Sequence, residues 1–384
     1  MAARKAIYTT ADEAALTERG AEWNFHDANS RELLHSIHPY PAKFIPQIPA
    51  RAIALWSRPG DLVYDPFCGC GTTLLEAIRA DRKAVGTDNN AVATLVSRAK
   101  TARYSPTLLR RARDLSEQIA DGSASLPPRP DLIPADKRIE FWYHQPVIAR
   151  LAEIKGLILD QPPRLKSLMM AVFSSILVRV SLQDSDTRYA RVSRETSAED
   201  VSRLFAMRLR EAADLAAQSS KQISGSAQVF QADARCVPMI DTGSVTLIVT
   251  SPPYLNAYDY HKYHRQRINW VDGDVSFARD LEIGSHDEFT KPKATPDRYF
   301  LDMRTCAAEW ARVLKRRGKC LVVVGDAIVS GQAVPVADRF IADFEELGLS
   351  LVDRWIRTLK PTSRAFNVKN SRITHEHLVL FSKR

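Results

Sequence analysis

Four consecutive residues, Ser251-Pro252-Pro253-Tyr254, combine hydrogen-bond acceptors with an aromatic ring, and they follow an apolar segment, 245–250, that predicts a buried strand. The Ser251 hydroxyl oxygen and the Pro252 carbonyl are acceptors that could bind two N–H groups of one ligand. Because proline lacks an N–H and has a fixed φ, the Pro-Pro pair holds its carbonyl rigidly. The Tyr254 ring is suited to stack on a planar group. These four residues are therefore the candidate catalytic residues.

A second group of residues has the pattern of a nucleoside-binding turn. The sequence DPFCGCGTT begins at Asp65, after a short apolar strand, and runs into a helical pattern. Its glycines, Gly69 and Gly71, let a ligand approach the backbone, and the following helix offers free N–H groups. Asp88 ends the next strand, where a carboxylate accepts hydrogen bonds from ribose hydroxyls. The turn lacks both GxGxxG and GxxxxGK[ST], which disfavours NAD and ATP; a turn that only joins strand to helix is the alternative.

The elements that position these residues are predicted to form a doubly wound, Rossmann-like α/β sheet. Two strand–helix units occupy the first hundred residues, and the alternation resumes after residue 224. Between them, 105–224 shows helical patterns and no convincing strand, which predicts a large helical insertion. The last two strands, 350–359 and 377–382, lack a helix between them and are expected to form an antiparallel hairpin at the sheet edge. The predicted division is 1–104, 105–224 and 225–384.

Composition limits the class of protein. With 384 residues and 45% hydrophobic content, the chain can bury a sizeable core, and it has neither a run of about 20 apolar residues nor a signal-peptide pattern, so a cytoplasmic location is expected. The 5 cysteines give no disulfide framework. His261 and His264 have no nearby cysteine or histidine to complete a site, so no metal is predicted. A net charge of +9 favours a polyanionic partner.

These motifs together resemble the amino-group DNA methyltransferases, which modify cytosine N4 or adenine N6. DPFCGCGTT is similar to the S-adenosylmethionine motif of that family, VGTD (85–88) to its second motif, QAD (231–233) to its third, and TSPPY (250–254) to its catalytic motif. HPYPAKF (38–44) resembles the motif that precedes the first strand. The resemblance covers most of the chain apart from the insertion and the extreme N-terminus. In the family, the second and third motifs usually lie within a few tens of residues of each other, so the insertion between them is a departure from the family pattern. The insertion could be a target-recognition region, a dimer contact or a lid.

The resemblance implies a S-adenosylmethionine-dependent methyltransferase fold and roles for individual residues. Asp65 and the backbone of 67–71 would hold the methionine part of the cofactor, Asp88 the ribose and Asp233 the adenine amino group. Residues of the N-terminal motif would line the same pocket. The full set of implied cofactor residues is Tyr40, Lys43, Phe44, Asp65, Phe67, Gly69, Gly71, Thr72, Asp88 and Asp233.

Basic and aromatic residues alternate directly after the catalytic motif, in 256–267, which suits phosphate contacts and stacking near a flipped base. The run 360–372 carries further positive charges and no acidic residue. A solvated helix face and an ordinary soluble hairpin loop are the respective alternatives. The predicted DNA contacts are Tyr258, Lys262, Arg265, Arg267, Lys360, Arg364, Lys369 and Arg372.

The sequence therefore predicts an enzyme: a site-specific DNA methyltransferase that flips a base and transfers a methyl group directly to its exocyclic amine. Ser251 at the head of the motif favours cytosine N4, because family members with Asp or Asn there more often modify adenine N6. No Pro-Cys pair occurs, so the cytosine C5 mechanism is excluded. An RNA amino-methyltransferase and an inactive DNA-binding protein on the same fold are the alternatives. Double-stranded DNA is the expected partner, with a cognate restriction endonuclease as a further one, and the chain is expected to be a monomer or homodimer.

Overall fold

The computed structural model describes residues 10–26, 29–30, 32–41, 43, 45–186, 188–289, 295–359 and 374–384. The strands are β1 Leu62–Asp65, β2 Lys83–Asp88, β3 Gln183–Ser185, β4 Arg188–Arg191, β5 Ser226–Gln231, β6 Val245–Thr250, β7 Leu314–Val324, β8 Ala327–Val329, β9 Gln332–Val334, β10 Leu349–Thr358 and β11 His375–Lys383. The helices are α1 Thr10–Gly20, α2 Gln47–Trp56, α3 Thr72–Arg79, α4 Ala91–Thr101, α5 Pro106–Asp121, α6 Ile139–Trp142, α7 Gln145–Leu159, α8 Pro163–Val180, α9 Ala198–Ser220, α10 Tyr260–Tyr263, α11 Arg265–Trp270, α12 Val275–Asp280, α13 His286–Phe289, α14 Asp297–Val313 and α15 Val336–Glu345. Short 3₁₀ turns lie at Ala21–Trp23, Leu33–Ser36 and Pro130–Leu132.

Seven strands form one sheet in the order β10-β11-β7-β6-β1-β2-β5. The strands from β7 to β5 in this order run parallel, and β11 runs antiparallel to both of its neighbours. The predicted α/β class and the antiparallel C-terminal hairpin are thus confirmed. Chain order reverses between β1 and β6, and in open α/β sheets a ligand cleft lies at such a point, beyond the carboxyl ends of the strands.

The two faces of the sheet are covered by different helices, as the side chains of β1 illustrate. Val63 packs into a core with α2, α3 and α4, whereas Tyr64 packs into a second core with α14 and α15. Both side chains have no exposed surface. Because successive side chains of a strand point to opposite faces, a near-continuous apolar strand is what a sheet covered on both sides requires.

The insertion, residues 105–224, belongs to the first of these two cores. Helix α8 is buried along nearly its whole length and packs against α4, α7 and α9. Apolar residues of α5, α7, α8 and α9 join the same cluster as Val63. The insertion is therefore an added helical layer on the sheet domain, and its role stays a prediction.

Helix α5 and the strands β3 and β4 of the insertion were not predicted as individual elements. Helix α5 begins at a Ser105 cap, whose side chain accepts a hydrogen bond from the Leu108 N–H, and has Pro106 in its first turn. The prediction of no strand in 105–224 is wrong, since β3 and β4 form an antiparallel hairpin. Both strands are too short and too polar to give a strand pattern in the sequence.

None of the described helices combines the length and apolar composition needed to cross a bilayer.

Candidate active site

A cleft lies at the carboxyl edge of the sheet, with a volume of about 850 Å³ that includes the solvent-open space at its mouth. The turn after β1, the end of β2 and the loops after β5 and β6 line it, as does the segment 281–283. Most of the residues that the sequence singles out for the cofactor and for catalysis meet there. The predicted residues that line the cleft are Tyr40, Lys43, Phe67, Gly69, Thr72, Asp88, Asp233, Ser251 and Pro253.

Asp88 holds the glycine turn through both of its carboxylate oxygens. One oxygen accepts the Gly69 N–H at 2.9 Å, and the other accepts the Asn90 N–H at 2.9 Å. Gly69 has φ +48°, a conformation that glycine adopts at little cost. Burial raises the pKa of Asp88 to about 6, although these two hydrogen bonds oppose the rise. The carboxylate thus fixes the turn and also faces the cleft.

Asp65 lies beneath the turn and does not line the cleft, in contrast to the cofactor contact that the resemblance implies. Its carboxylate accepts the Thr250 hydroxyl at 2.8 Å and the Phe67 N–H at 3.2 Å. Burial raises its pKa to about 7. Because Thr250 ends β6, Asp65 ties the glycine turn to the strand that carries Ser251.

Gly71 also acts from behind the cleft. It has φ +74°, and a Cβ at this position would lie 2.7 Å from the Ser97 Oγ of α4. Only glycine therefore permits this turn and this close approach of the α3 N-terminus to α4. Thr72, the first residue of α3, lines the cleft beside it.

The N-terminal segment closes one side of the cleft. Tyr40 stacks on the His264 ring, with 4.6 Å between centroids, and packs against the glycine turn, since a Cβ on Gly69 would lie 3.5 Å from its ring. The Lys43 ammonium donates to the His35 carbonyl at 2.7 Å. The predicted residue Phe44 lies outside the described residues.

Asp233 lines the cleft after β5 but is already paired. The Arg235 guanidinium donates to both of its carboxylate oxygens and also to Asp302, at 2.7 Å. Arg235 was not predicted, although a basic residue two positions after a functional acid is a readable signal. Cys68 and Cys70 also line the cleft, within the predicted backbone segment 67–71. The lining residues that sequence reasoning missed lie beside predicted ones or in the loop after α12; they are Pro66, Asn89, Asn90, Ala232, Ala234, Tyr260, Leu281, Glu282 and Ile283.

The catalytic candidates follow β6 at the far side of the cleft. Ser251 and Pro253 line it, Pro252 is buried, and the Pro253 carbonyl accepts the Tyr299 hydroxyl at 3.0 Å. Tyr254 is half-buried behind them, and its hydroxyl donates to Glu376 Oε1 at 2.8 Å. This contact was not predicted, because the motif does not reveal the strand pairing that brings Glu376 here.

The predicted DNA contacts fall into three groups. Tyr258 packs against the neighbouring tyrosine rings of α10, Lys262 pairs with Asp259 and Asp287, and Arg265 lies 3.5 Å from Asp136. Arg267 is a correction, because its side chain has no exposed surface, donates to the Ser174 carbonyl at 3.0 Å and pairs with Asp186. It joins α11 to the insertion and is not placed to reach a phosphate. The remaining predicted contacts lie outside the described residues; they are Lys360, Arg364, Lys369 and Arg372.

Among the described residues, no group of three or more His, Cys, Asp or Glu side chains is arranged to hold a metal ion. The sheet order, the glycine turn and the cleft at the switch point are features of the doubly wound α/β class.

Residues 3–96 match the family model described as DNA methylase. Type II methyltransferase M.MvaI of Kocuria varians is 28% identical over 278 residues, which cover 65% of this chain and 60% of that protein. Type II methyltransferase M.EcaI of Enterobacter cloacae is 32% identical over 120 residues, 29% of this chain and 26% of that protein. The chain thus spans less than two thirds of each relative. These matches make the chain similar to DNA methyltransferases, through residues 3–96 for the family model and through 65% of the chain for M.MvaI.

A solved structure of a putative DNA modification methylase from Thermus thermophilus is 22% identical and covers 39% of this chain and 50% of that chain, with a TM-score of 0.24. A TM-score of this size does not establish a common fold. The fold assignment rests on the sheet order and strand directions described above.

Proposed function

We propose that this chain is a S-adenosylmethionine-dependent DNA methyltransferase that flips a base and methylates its exocyclic amine. One observation carries the proposal: a single cleft is lined by Gly69 and Asp88 of the predicted cofactor turn and by Ser251 and Pro253 of the predicted catalytic loop. A methyl donor and an amine acceptor have to meet in one enclosed space, and this cleft has both sets of residues on its walls.

The residues present suit S-adenosylmethionine. Asp88 presents a carboxylate for the ribose hydroxyls, the Gly69 backbone leaves room for a ligand, and Asp233 offers an acceptor for the adenine amino group. Tyr40 and Lys43 would bind from the N-terminal side. When bound, the cofactor supplies an electrophilic methyl group on a sulfonium.

The acceptor chemistry belongs to the loop after β6. The Ser251 oxygen and the Pro252 carbonyl would accept the two N–H groups of the target amine, and this turns its lone pair out of conjugation with the ring. Tyr254 would stack on the flipped base. No covalent enzyme intermediate is needed, and Cys306 and Cys320 are buried in the core.

We further propose cytosine N4 as the target atom, with adenine N6 as the alternative. Ser251 is a neutral acceptor, and its place at the head of the motif is the feature that favours cytosine. A cognate restriction endonuclease is proposed as a partner in the cell.

Incubation with tritiated S-adenosylmethionine and duplex DNA tests the proposal, with tRNA as the parallel substrate. We expect label in the DNA, N4-methylcytosine in its nucleoside digest by mass spectrometry, and loss of both in Ser251→Ala. N6-methyladenine would correct the target, label in tRNA alone would correct the substrate, and no transfer to either would refute the activity. Tyr254→Ala is expected to lower turnover far more than cofactor affinity.

A further inference from the structure

The hydroxyl of Tyr254 is held by a carboxylate from a distant part of the chain. Glu376 Oε1 accepts a hydrogen bond from the Tyr254 hydroxyl, with 2.8 Å between the two oxygens. The two residues are 122 positions apart in the sequence. The other carboxylate oxygen, Oε2, lies 3.6 Å from the Arg357 Nε. Only 14% of the Glu376 side chain and 7% of the Arg357 side chain are exposed, so this contact is largely shielded from water.

The hairpin at the sheet edge fixes this carboxylate. Glu376 and Arg357 are direct partners in the antiparallel register of β10 and β11. β11 also pairs with β7, next to β6 in the sheet, and the catalytic loop follows β6. The backbone of the sheet thus holds Glu376 behind the loop independently of any ligand.

Hydrogen-bond chemistry gives this contact a direction. A carboxylate only accepts, so the Tyr254 hydroxyl has to use its single proton toward Glu376. The direction of the Tyr254 O–H bond is therefore set by Glu376, and a hydrogen bond to an ionised acceptor is stronger than one to a neutral group.

Building on the proposed function, we infer that Glu376 is a positioning residue: its hydrogen bond to the Tyr254 hydroxyl holds that ring in one orientation behind Ser251 and Pro253, where it would stack on the flipped base. Arg357 in turn holds the carboxylate. A glutamine in place of Glu376 keeps the shape of the side chain but replaces the carboxylate by a neutral amide, so it holds the Tyr254 hydroxyl more weakly.

A double-mutant cycle tests this role, with Glu376→Gln, Tyr254→Phe and the double variant assayed for methyl transfer to DNA. We expect Glu376→Gln to lower kcat about tenfold or more, with the dissociation constant of S-adenosylmethionine unchanged in direct calorimetry. In the Tyr254→Phe background, which has no hydroxyl to orient, Glu376→Gln should change kcat less than about twofold. Glu117→Gln, an exposed carboxylate on α5, is the matched control.

The outcomes separate this inference from the proposed function. Equal losses from Glu376→Gln in both backgrounds would show a merely structural role, and an unchanged kcat would overturn the inference while the methyltransferase activity stands. If the wild-type protein transfers no methyl group, the proposed function fails. The ¹³Cζ resonance of Tyr254, assigned by its absence in Tyr254→Phe, then still decides the contact: it should shift in Glu376→Gln and stay in place in Glu117→Gln.

Discussion

At the scale of single residues, Asp88 combines two tasks. It accepts two backbone N–H groups that shape the glycine turn, and it faces the cleft. We expect Asp88→Asn to raise the dissociation constant of S-adenosylmethionine at least tenfold, about 1.4 kcal/mol, because an amide has only one acceptor atom. Calorimetry measures it. Asp81→Asn is the matched control, since Asp81 is exposed at the opposite end of the β2 strand; equal weakening in both would contradict the assignment.

The raised pKa of Asp88 predicts a pH dependence of cofactor binding. Burial, the largest cause, moves this pKa to about 6. Above pH 6 the group is a carboxylate with full acceptor capacity, and below pH 6 it is protonated and loses part of that capacity. Affinity for S-adenosylmethionine should therefore be level from about pH 8 to 7 and fall as pH drops from about 7 to 5. Asp88→Asn should remove most of that fall, and an identical profile in this variant would assign the titration to another group.

At the scale of elements, the sequence could predict those features that are determined by neighbouring residues, and it could not predict those that depend on strand order or tertiary packing. β6 was predicted with its observed bounds, and the two hairpin strands within two residues of theirs, because apolar runs, glycine turns and prolines act over a few neighbours. The contact of Tyr254 with Glu376 was not predictable, since it depends on the strand order that brings β11 beside β7. The buried position of Arg267 depends likewise on packing against the insertion.

An ion pair between Lys155 and Asp272 joins the insertion to the segment 225–384, which carries the catalytic candidates. The Lys155 ammonium of α7, 1% exposed, donates to Asp272 Oδ1 at 2.6 Å, in the turn after α11. Asp272 has φ +59°, a conformation that asparagine also tolerates. Asp272→Asn therefore removes the charge without changing the backbone preference, and it leaves the buried cation without an ionised partner.

We expect Asp272→Asn to lower the free energy of unfolding by about 1 kcal/mol, because the Asp272 side chain is 69% exposed and the Asn oxygen can still accept a hydrogen bond from Lys155. Lys155→Met removes the cation itself and should cost less, because methionine fills similar space without a charge. Urea unfolding of both single variants and the double variant measures the difference. A double variant as stable as Lys155→Met, and more stable than Asp272→Asn, is the expected pattern; equal stability of all variants and the wild type would mean that the pair does not join the two parts.

At the scale of the whole molecule, the net charge of +9 is the feature that matters for a polyanionic substrate. The charges are not equivalent. Arg267 is used inside the fold, and Lys262 and Arg265 are paired with aspartates, so these residues would exchange a carboxylate for a phosphate on binding. The free energy of DNA binding therefore gains less from these three residues than from three unpaired cations. The predicted run at 360–372 is then the main candidate for phosphate contacts.

Salt dependence of duplex DNA binding measures this distribution. Each neutralised phosphate contributes a slope of about −0.9 to the logarithm of affinity against the logarithm of salt concentration. We expect a steep slope in the wild type and a flatter one, by about two to four, when the four basic residues predicted to contact phosphate in this run are changed to alanine together.

The matched control removes four exposed arginines from α5 and α9. The run variant is Lys360→Ala, Arg364→Ala, Lys369→Ala and Arg372→Ala, and the control is Arg110→Ala, Arg111→Ala, Arg203→Ala and Arg210→Ala. Both lose the same charge, so an effect of net charge alone would flatten both slopes equally, and a larger change in the control would place the DNA on the insertion instead.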